Sequence, residues 1–283
     1  MRPQTSPAAA ASPTYRRDAA DPRLLERALE DLGLGFRRWR LAAALARLDI
    51  RNRYRGSVLW PFWLTLSTAI MVGGLGTLYA SLFKLPLTDY LTFLAVSLLV
   101  WNTIRQIATD ACTSLITSEG IIRQMPLPYT VHVLRCVFRN AVIAAHSLPL
   151  ILVVFLACGV LPGPGALLAF AGLGLLALNA FACALLLGMV CARFRDIQQI
   201  VASALQLLFF LSPILWKPEL LGDKQKWLPL NPVYAVMETV RGPLTEGGAP
   251  PLIWAAAVAY TAAGCAAALA FFVRFRGRIA FWV

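Results

Sequence analysis

The sequence predicts an all-α integral membrane protein with six transmembrane helices, an N-terminal amphipathic helix and short helices between spans five and six. Three observations carry this reading. Of 283 residues, 59% are hydrophobic and 14% charged, which is too apolar for a soluble domain of this size. The apolar residues gather into stretches of about 20 or more, the length a helix needs to cross a bilayer core. The net charge of +12 comes from basic residues placed beside those stretches, where membrane topology and anionic headgroups account for them better than nucleic acid does.

Residues 1–22 are rich in Ala, Pro, Ser and Thr and lack an apolar run, so they read as a disordered tail and not as a signal peptide. With a short helix, that tail makes up region 1–35. Residues 36–57 form an amphipathic helix. Leu41, Leu45 and Leu48 recur at spacings of 4 and 3, with Arg40, Arg47 and Arg51 roughly opposite. Such a helix lies in the membrane surface. Residues 58–283 form the transmembrane domain.

The first crossing, 58–83, starts on Trp60 and Trp63 and carries Gly73, Gly74 and Gly76 near its middle, where small residues allow close helix contact. The second starts near Tyr90 and is the weakest. Arg105 either snorkels to the inner surface or pairs with Asp110. The loop 112–136 contains EGIIRQMPLP, in which the prolines break the preceding helix. Its apolar residues Ile121, Ile122, Met125 and Leu127 form a ridge suited to docking a partner. The third and fourth crossings are 137–160 and 166–192, the latter with Asn179 in its middle.

The fifth crossing, 197–216, organises the chain. It follows Arg193, Arg195 and Asp196, runs 20 residues without a charge, and ends on Trp216 and Lys217. Gln198, Gln199 and Gln206 are its costly polar members, and Pro213 frees a backbone carbonyl for another partner. Segment 217–250 holds five prolines yet is too apolar for a free loop, which predicts short helices dipping into the outer leaflet. Glu238 and Arg241, three apart, can pair on one helix face. The sixth crossing is 252–273. Twelve arginines on one side against five basic residues on the other place both termini in the cytosol.

No Walker phosphate loop, zinc-protease motif or dinucleotide fingerprint occurs. The six cysteines lack CxxC spacing, and His132 and His146 stand alone. No catalytic or metal site is therefore expected. The spans carry no acidic residue at mid-depth, as proton-coupled carriers do. The energy source must lie in a partner. A membrane-embedded glycosyltransferase would want clustered carboxylates, which are absent. An ATP-independent channel is a further alternative.

The pieces RYRGSVLWPFW, FLAVSLLVWN, EGIIRQMPLP, CARFRDIQQIVASALQLLFFLSPILWKPELL, LNPVYAVMETVRGPL and RIAFWV, in this order, cover nearly everything after residue 36. They resemble the membrane subunits of ABC-2 type ATP-binding-cassette exporters of O-antigen and related lipid-linked polysaccharides. The resemblance implies an inner-membrane homodimer with two copies of a separate cytosolic ATPase, which binds the ATP and magnesium; this chain itself takes no cofactor. It also implies that 36–57 lies at the cytosolic interface, that Glu119, Ile121, Ile122, Arg123 and Met125 couple to the ATPase, and that 217–250 re-enters as gate helices around Trp227, Tyr234, Glu238 and Arg241. Channels of this family are lined partly by aromatic side chains, for which position nominates Trp101, Phe209, Phe210 and Trp216. Capsule, teichoic acid or arabinogalactan are alternative polymers.

Overall fold

The computed structural model describes residues 23–53 and 60–283, with side chains from residue 65 onward in the second stretch. The expectations for the tail 1–22, for residues 54–57 of the amphipathic helix and for the side chains of Trp60 and Trp63 lie outside the described residues. Eleven α-helices are described: α1 (Leu24–Arg37), α2 (Trp39–Arg53), α3 (Trp60–Phe83), α4 (Leu87–Thr113), α5 (Glu119–Gln124), α6 (Tyr129–Cys158), α7 (Leu168–Arg193), α8 (Ile197–Leu211), α9 (Pro232–Thr245), α10 (Pro251–Phe275) and α11 (Ile279–Trp282). Five of them, with their flanking turns, are long and apolar enough to cross a membrane: α3, α4, α6, α7 and α10.

The fifth expected crossing, 197–216, is shorter than its uncharged run. α8 stops at Leu211, and Ser212 is extended at φ −95°, ψ 147°. Pro213 is the cause, because its ring disfavours helical backbone at the residue before it. Fifteen residues rise about 23 Å, less than the roughly 30 Å of a hydrocarbon core. The remainder, 212–217, is broken backbone whose Ser212, Pro213 and Ile214 are buried.

α4 is the centre of the bundle, packed by α3, α6, α7, α8 and α9. Its hydropathy is the lowest of the five long spans, yet 61% of its apolar window is buried against 22% for α3 and 11% for α6. Weak hydropathy here reflects polar residues used inside the protein. Ser97 is fully buried, and Thr92 satisfies itself on the carbonyls of Thr88 and Asp89 at 3.2 and 3.1 Å.

Of the mid-span glycines in α3, Gly76 makes the close approach: a Cβ there would stand 2.3 Å from Leu91 Cδ2. Gly73 and Gly74 have open surroundings instead. Asn179 of α7 donates to Thr261 Oγ1 of α10 at 2.7 Å and ties those spans together.

Segment 217–250 folds as expected into short helices. Residues Pro218–Leu230 form 3-10 turns that break at Gly222, whose φ of 53° and ψ of −128° suit glycine alone. α9 then inserts against α4, α7 and α10. Every residue from Tyr234 to Pro243 is buried. Gly172 of α7 permits this, since a Cβ there would meet the Thr239 carbonyl oxygen at 2.3 Å.

At the arginine-rich end, α1 and α2 lie across the start of α6. α1 is held by its one buried carboxylate. Asp31 accepts from the Tyr129 and Thr130 backbone N–H groups at 3.2 and 3.1 Å and from Thr130 Oγ1 at 2.8 Å. It thereby satisfies donors that the first turn of α6 leaves open, and Arg276 Nε neutralises it at 3.0 Å.

Candidate functional site

Two clusters gather the polar chemistry, one at each end of the bundle. The first joins α9 to the broken end of α8 and to α4. Asn231 starts α9. Its Oδ1 accepts from Val233 N and Tyr234 N at 3.0 and 3.1 Å, with proline following at the first helical position. The Asn-Pro pair is a readable helix start. Asn231 Nδ2 also donates to Ser212 Oγ at 2.9 Å, which ties α9 to the break.

Arg241 sits at the heart of this cluster and is fully buried. Its Nη1 donates to Ser97 Oγ at 3.0 Å and to the Pro213 carbonyl at 2.5 Å, and its Nη2 pairs with Glu238. The guanidinium lies 4.4 Å from the Phe93 ring centroid, a cation–π placement. Lys217 Nζ lies 5.6 Å from the same ring. Tyr90 OH donates to the Leu215 carbonyl. The carbonyls freed around Pro213 are therefore taken by Arg241 and Tyr90.

Glu238 and Arg241 do pair, in the interior and not on the surface. Tyr234 is also buried, at 6% exposure. Trp227, at 62%, is exposed.

The second cluster is an ionic ladder at the arginine-rich end. Asp49 of α2 accepts from Arg135 Nε at 2.6 Å and from Arg139 Nη1 at 3.2 Å. Arg139 continues to Asp110 of α4 through Nη2 at 2.9 Å. Asp110 also accepts from Gln106 Nε2 at 2.9 Å and Asn140 Nδ2 at 3.1 Å. Of the two expectations for Arg105, pairing with Asp110 is thus not met, because Asp110 is saturated from α6. Arg105 is exposed.

α2 docks through a face that the leucine and arginine stripes concealed. Ala42 and Ala46 are buried against α6. Leu45 packs partly on Val131 and Leu134, while Leu41, Leu48, Arg47 and Arg51 are exposed. An alanine face lets the two helices approach closely and leaves the leucines for a different medium.

The loop helix α5 does not present all of its apolar ridge. Ile122 is 2% exposed and packs with Leu115, Tyr129, Phe272, Ile279 and Val283. Arg123 donates to the Val283 backbone oxygen at 2.5 Å and pairs with Glu119 at 2.9 Å. The outward surface is Gly120, Arg123, Gln124 and Met125, with Ile121 half-buried. Ile122 is therefore removed from the docking ridge by the chain's own last residues, contact that no local pattern could reveal.

Among the aromatic channel candidates, Trp101 is 3% exposed, with Phe209 at 5.7 Å between ring centroids. It is a core residue. Phe209 and Trp216 are half-buried, and Phe210 is 63% exposed. Phe210 continues a row formed by Gln199, Ser203 and Gln206, all exposed at spacings of 4, 3 and 4 on α8. This polar and aromatic stripe on an otherwise apolar helix is costly against lipid.

Comparison with known proteins gives the same picture. Residues 40–244 match the ABC-2 type transporter membrane family. An O-antigen export system permease protein of Klebsiella pneumoniae is 22% identical over 212 residues, covering 73% of this chain and 81% of that protein. One from Myxococcus xanthus is 27% identical over 225 residues, covering 77% of this chain and 86% of that protein.

Proposed function

The chain belongs to the ABC-2 type transporter family, and from that premise we propose that it is the permease subunit of an ATP-driven exporter of lipid-linked, O-antigen-like polysaccharide. Two copies enclose the channel and two copies of a separate ATPase drive it. Both termini and the α5 loop face the cytosol of an inner-membrane protein.

The observation that carries this reading is the stripe Gln199, Ser203, Gln206 and Phe210 along the exposed face of α8. Amides and hydroxyls can exchange hydrogen bonds with sugar hydroxyls, and an aromatic face suits the apolar face of a sugar ring. Facing a second α8 across a wet channel, the stripe is solvated; facing lipid, it is not. The α9 cluster supports a closure on the outer side, since α9 and the broken end of α8 are held together by Arg241. The names of the relatives favour O-antigen over capsule or teichoic acid as the polymer class.

The test is export in membrane vesicles containing the chain and its ATPase, with lipid-linked polysaccharide loaded on the cytosolic face. Transport should require ATP, and Gln206→Leu should reduce it without lowering membrane insertion. Export that proceeds without the ATPase would overturn the reading in favour of a passive channel.

A further inference from the structure

A groove of about 490 Å³ runs between α6 and α7, with α4 and α9 as its floor. Alanines make up much of its walls: Ala141, Ala144 and Ala145 on α6, and Ala169, Ala177 and Ala180 on α7. Side chains this small leave the space that larger ones would fill. The lining follows α6 from Val137 to Ile151, about 21 Å of helix, against roughly 15 Å for one leaflet's share of the hydrocarbon core. Leu148, Phe170 and Leu173 of the lining are exposed, so the groove opens to whatever surrounds the spans.

The groove offers an occupant almost nothing polar. Thr103 donates its hydroxyl to the Leu99 carbonyl at 2.9 Å, Asn140 is buried against Asp110, and every other lining residue is apolar. An apolar cavity of about 150 Å³ takes one benzene, so this one holds on the order of twenty carbons. Left empty, it would deprive its lining of dispersion partners. A second copy of the chain does not supply them. The stripe on α8 faces that copy in the arrangement proposed above, and α8 meets α4 through Phe209 and Trp101. Leu99 and Thr103, which floor the groove, stand two residues to either side of Trp101 and so about 200° around α4 from it. The groove therefore opens away from α8, toward hydrocarbon.

We propose that this groove binds one acyl chain of a bilayer phospholipid. The chain packs along four helices at once, a fixed apolar bed that bulk lipid does not offer. Its floor includes Val240 and Leu244, four apart on one face of α9. Between them in sequence is Arg241, which holds the Pro213 carbonyl at the end of α8. The chain thus braces α9 from the membrane side while Arg241 ties it to α8, and occupancy steadies the outer end of the bundle.

The test strips the permease and its ATPase of lipid stepwise in detergent and follows what remains by native mass spectrometry. One phospholipid per permease copy should outlast the rest. Returning dioleoyl phosphatidylcholine to the stripped complex should raise its melting temperature by roughly 5 °C. Dihexanoyl phosphatidylcholine, with the same headgroup and chains too short to fill the groove, should not. Ala144→Phe and Ala177→Phe fill the groove from opposite walls, and each should lose both the retained lipid and the rise. Ala262→Phe, on the exposed face of α10, should keep both. Two filling variants keep the test decisive if one of them fails to fold. Retention and rise unchanged in the filling variants overturn the proposal, as does an equal rise from the short-chain lipid. Retention of an isoprenoid-linked sugar in place of phospholipid also overturns it. Oxidising an Ala144→Cys variant should leave single copies; a two-copy species would put the second copy at the groove and overturn the proposal together with the arrangement it rests on. Failure of the lipid arms alone leaves that arrangement and the export reading standing.

Discussion

Replacing Arg241 by Met removes the cation that holds the outer end of the bundle together. Three partners lose it at once: Glu238, Ser97 Oγ and the Pro213 carbonyl. Glu238 is itself 2% exposed, so its carboxylate would remain buried without a counter-charge. Breaking a buried pair in this way costs about 3–5 kcal/mol. For a chain of this size that corresponds to a fall of roughly 5–10 °C in melting temperature. Met fills much of the same volume, so the loss reports charge and hydrogen bonding more than a cavity. Glu238→Met in the same chain removes the stranded carboxylate, and the double variant should regain most of the single variant's loss. The assay is thermal unfolding of the purified protein in detergent, followed by tryptophan fluorescence, on the four proteins of the cycle. A single Arg241→Met variant melting within about 2 °C of the parent would refute the reasoning, as would a double variant no better than the single.

Ile122→Asp should unfold or deplete the protein, at a cost on the order of several kcal/mol for an unpaired buried charge, whereas Met125→Asp should leave folding intact and abolish co-purification of the ATPase. Membrane levels and pull-down from the same cells separate the two. Asp31→Ala strips the first turn of α6 of its acceptor and removes the ion pair with Arg276, so it should destabilise by about 1–3 kcal/mol, read as a lower melting temperature; Glu26→Ala, in the same helix and exposed, should change nothing. If two copies meet at the outer face, oxidising a Trp227→Cys variant should yield a two-copy species and block export until reductant is added, and a fully formed tether with unimpaired export would show that this segment does not gate.

Much of the architecture was legible because it depends on hydropathy and on proline. Five of the six long apolar spans and the short helices of 217–250 follow from local composition and are in the structure, whereas α8 stops before Pro213 and falls short of the fifth crossing. The candidate sites were legible only in part. Trp101 and Ile122 are apolar residues whose types fit either a core or a working surface, and the chain's own packing placed both inside.

The sequence by itself determined where helices form, which segments are apolar enough for a membrane, and which end is basic, because these are sums over neighbouring residues. It also determined that Pro213 would release carbonyls, since a proline ring acts on its own stretch of backbone. Only the tertiary structure decided who takes them, and it chose Arg241, 28 residues onward, and Tyr90, 125 residues back from Leu215. The same holds for Asp110, which ignores Arg105 five residues away and pairs with Arg139 across a helix contact, and for Asp31, which meets Arg276 over 245 residues. Charges near the low-dielectric core pair with whatever the packing brings within hydrogen-bond reach, and a distance of three ångströms is not a function of separation along the chain.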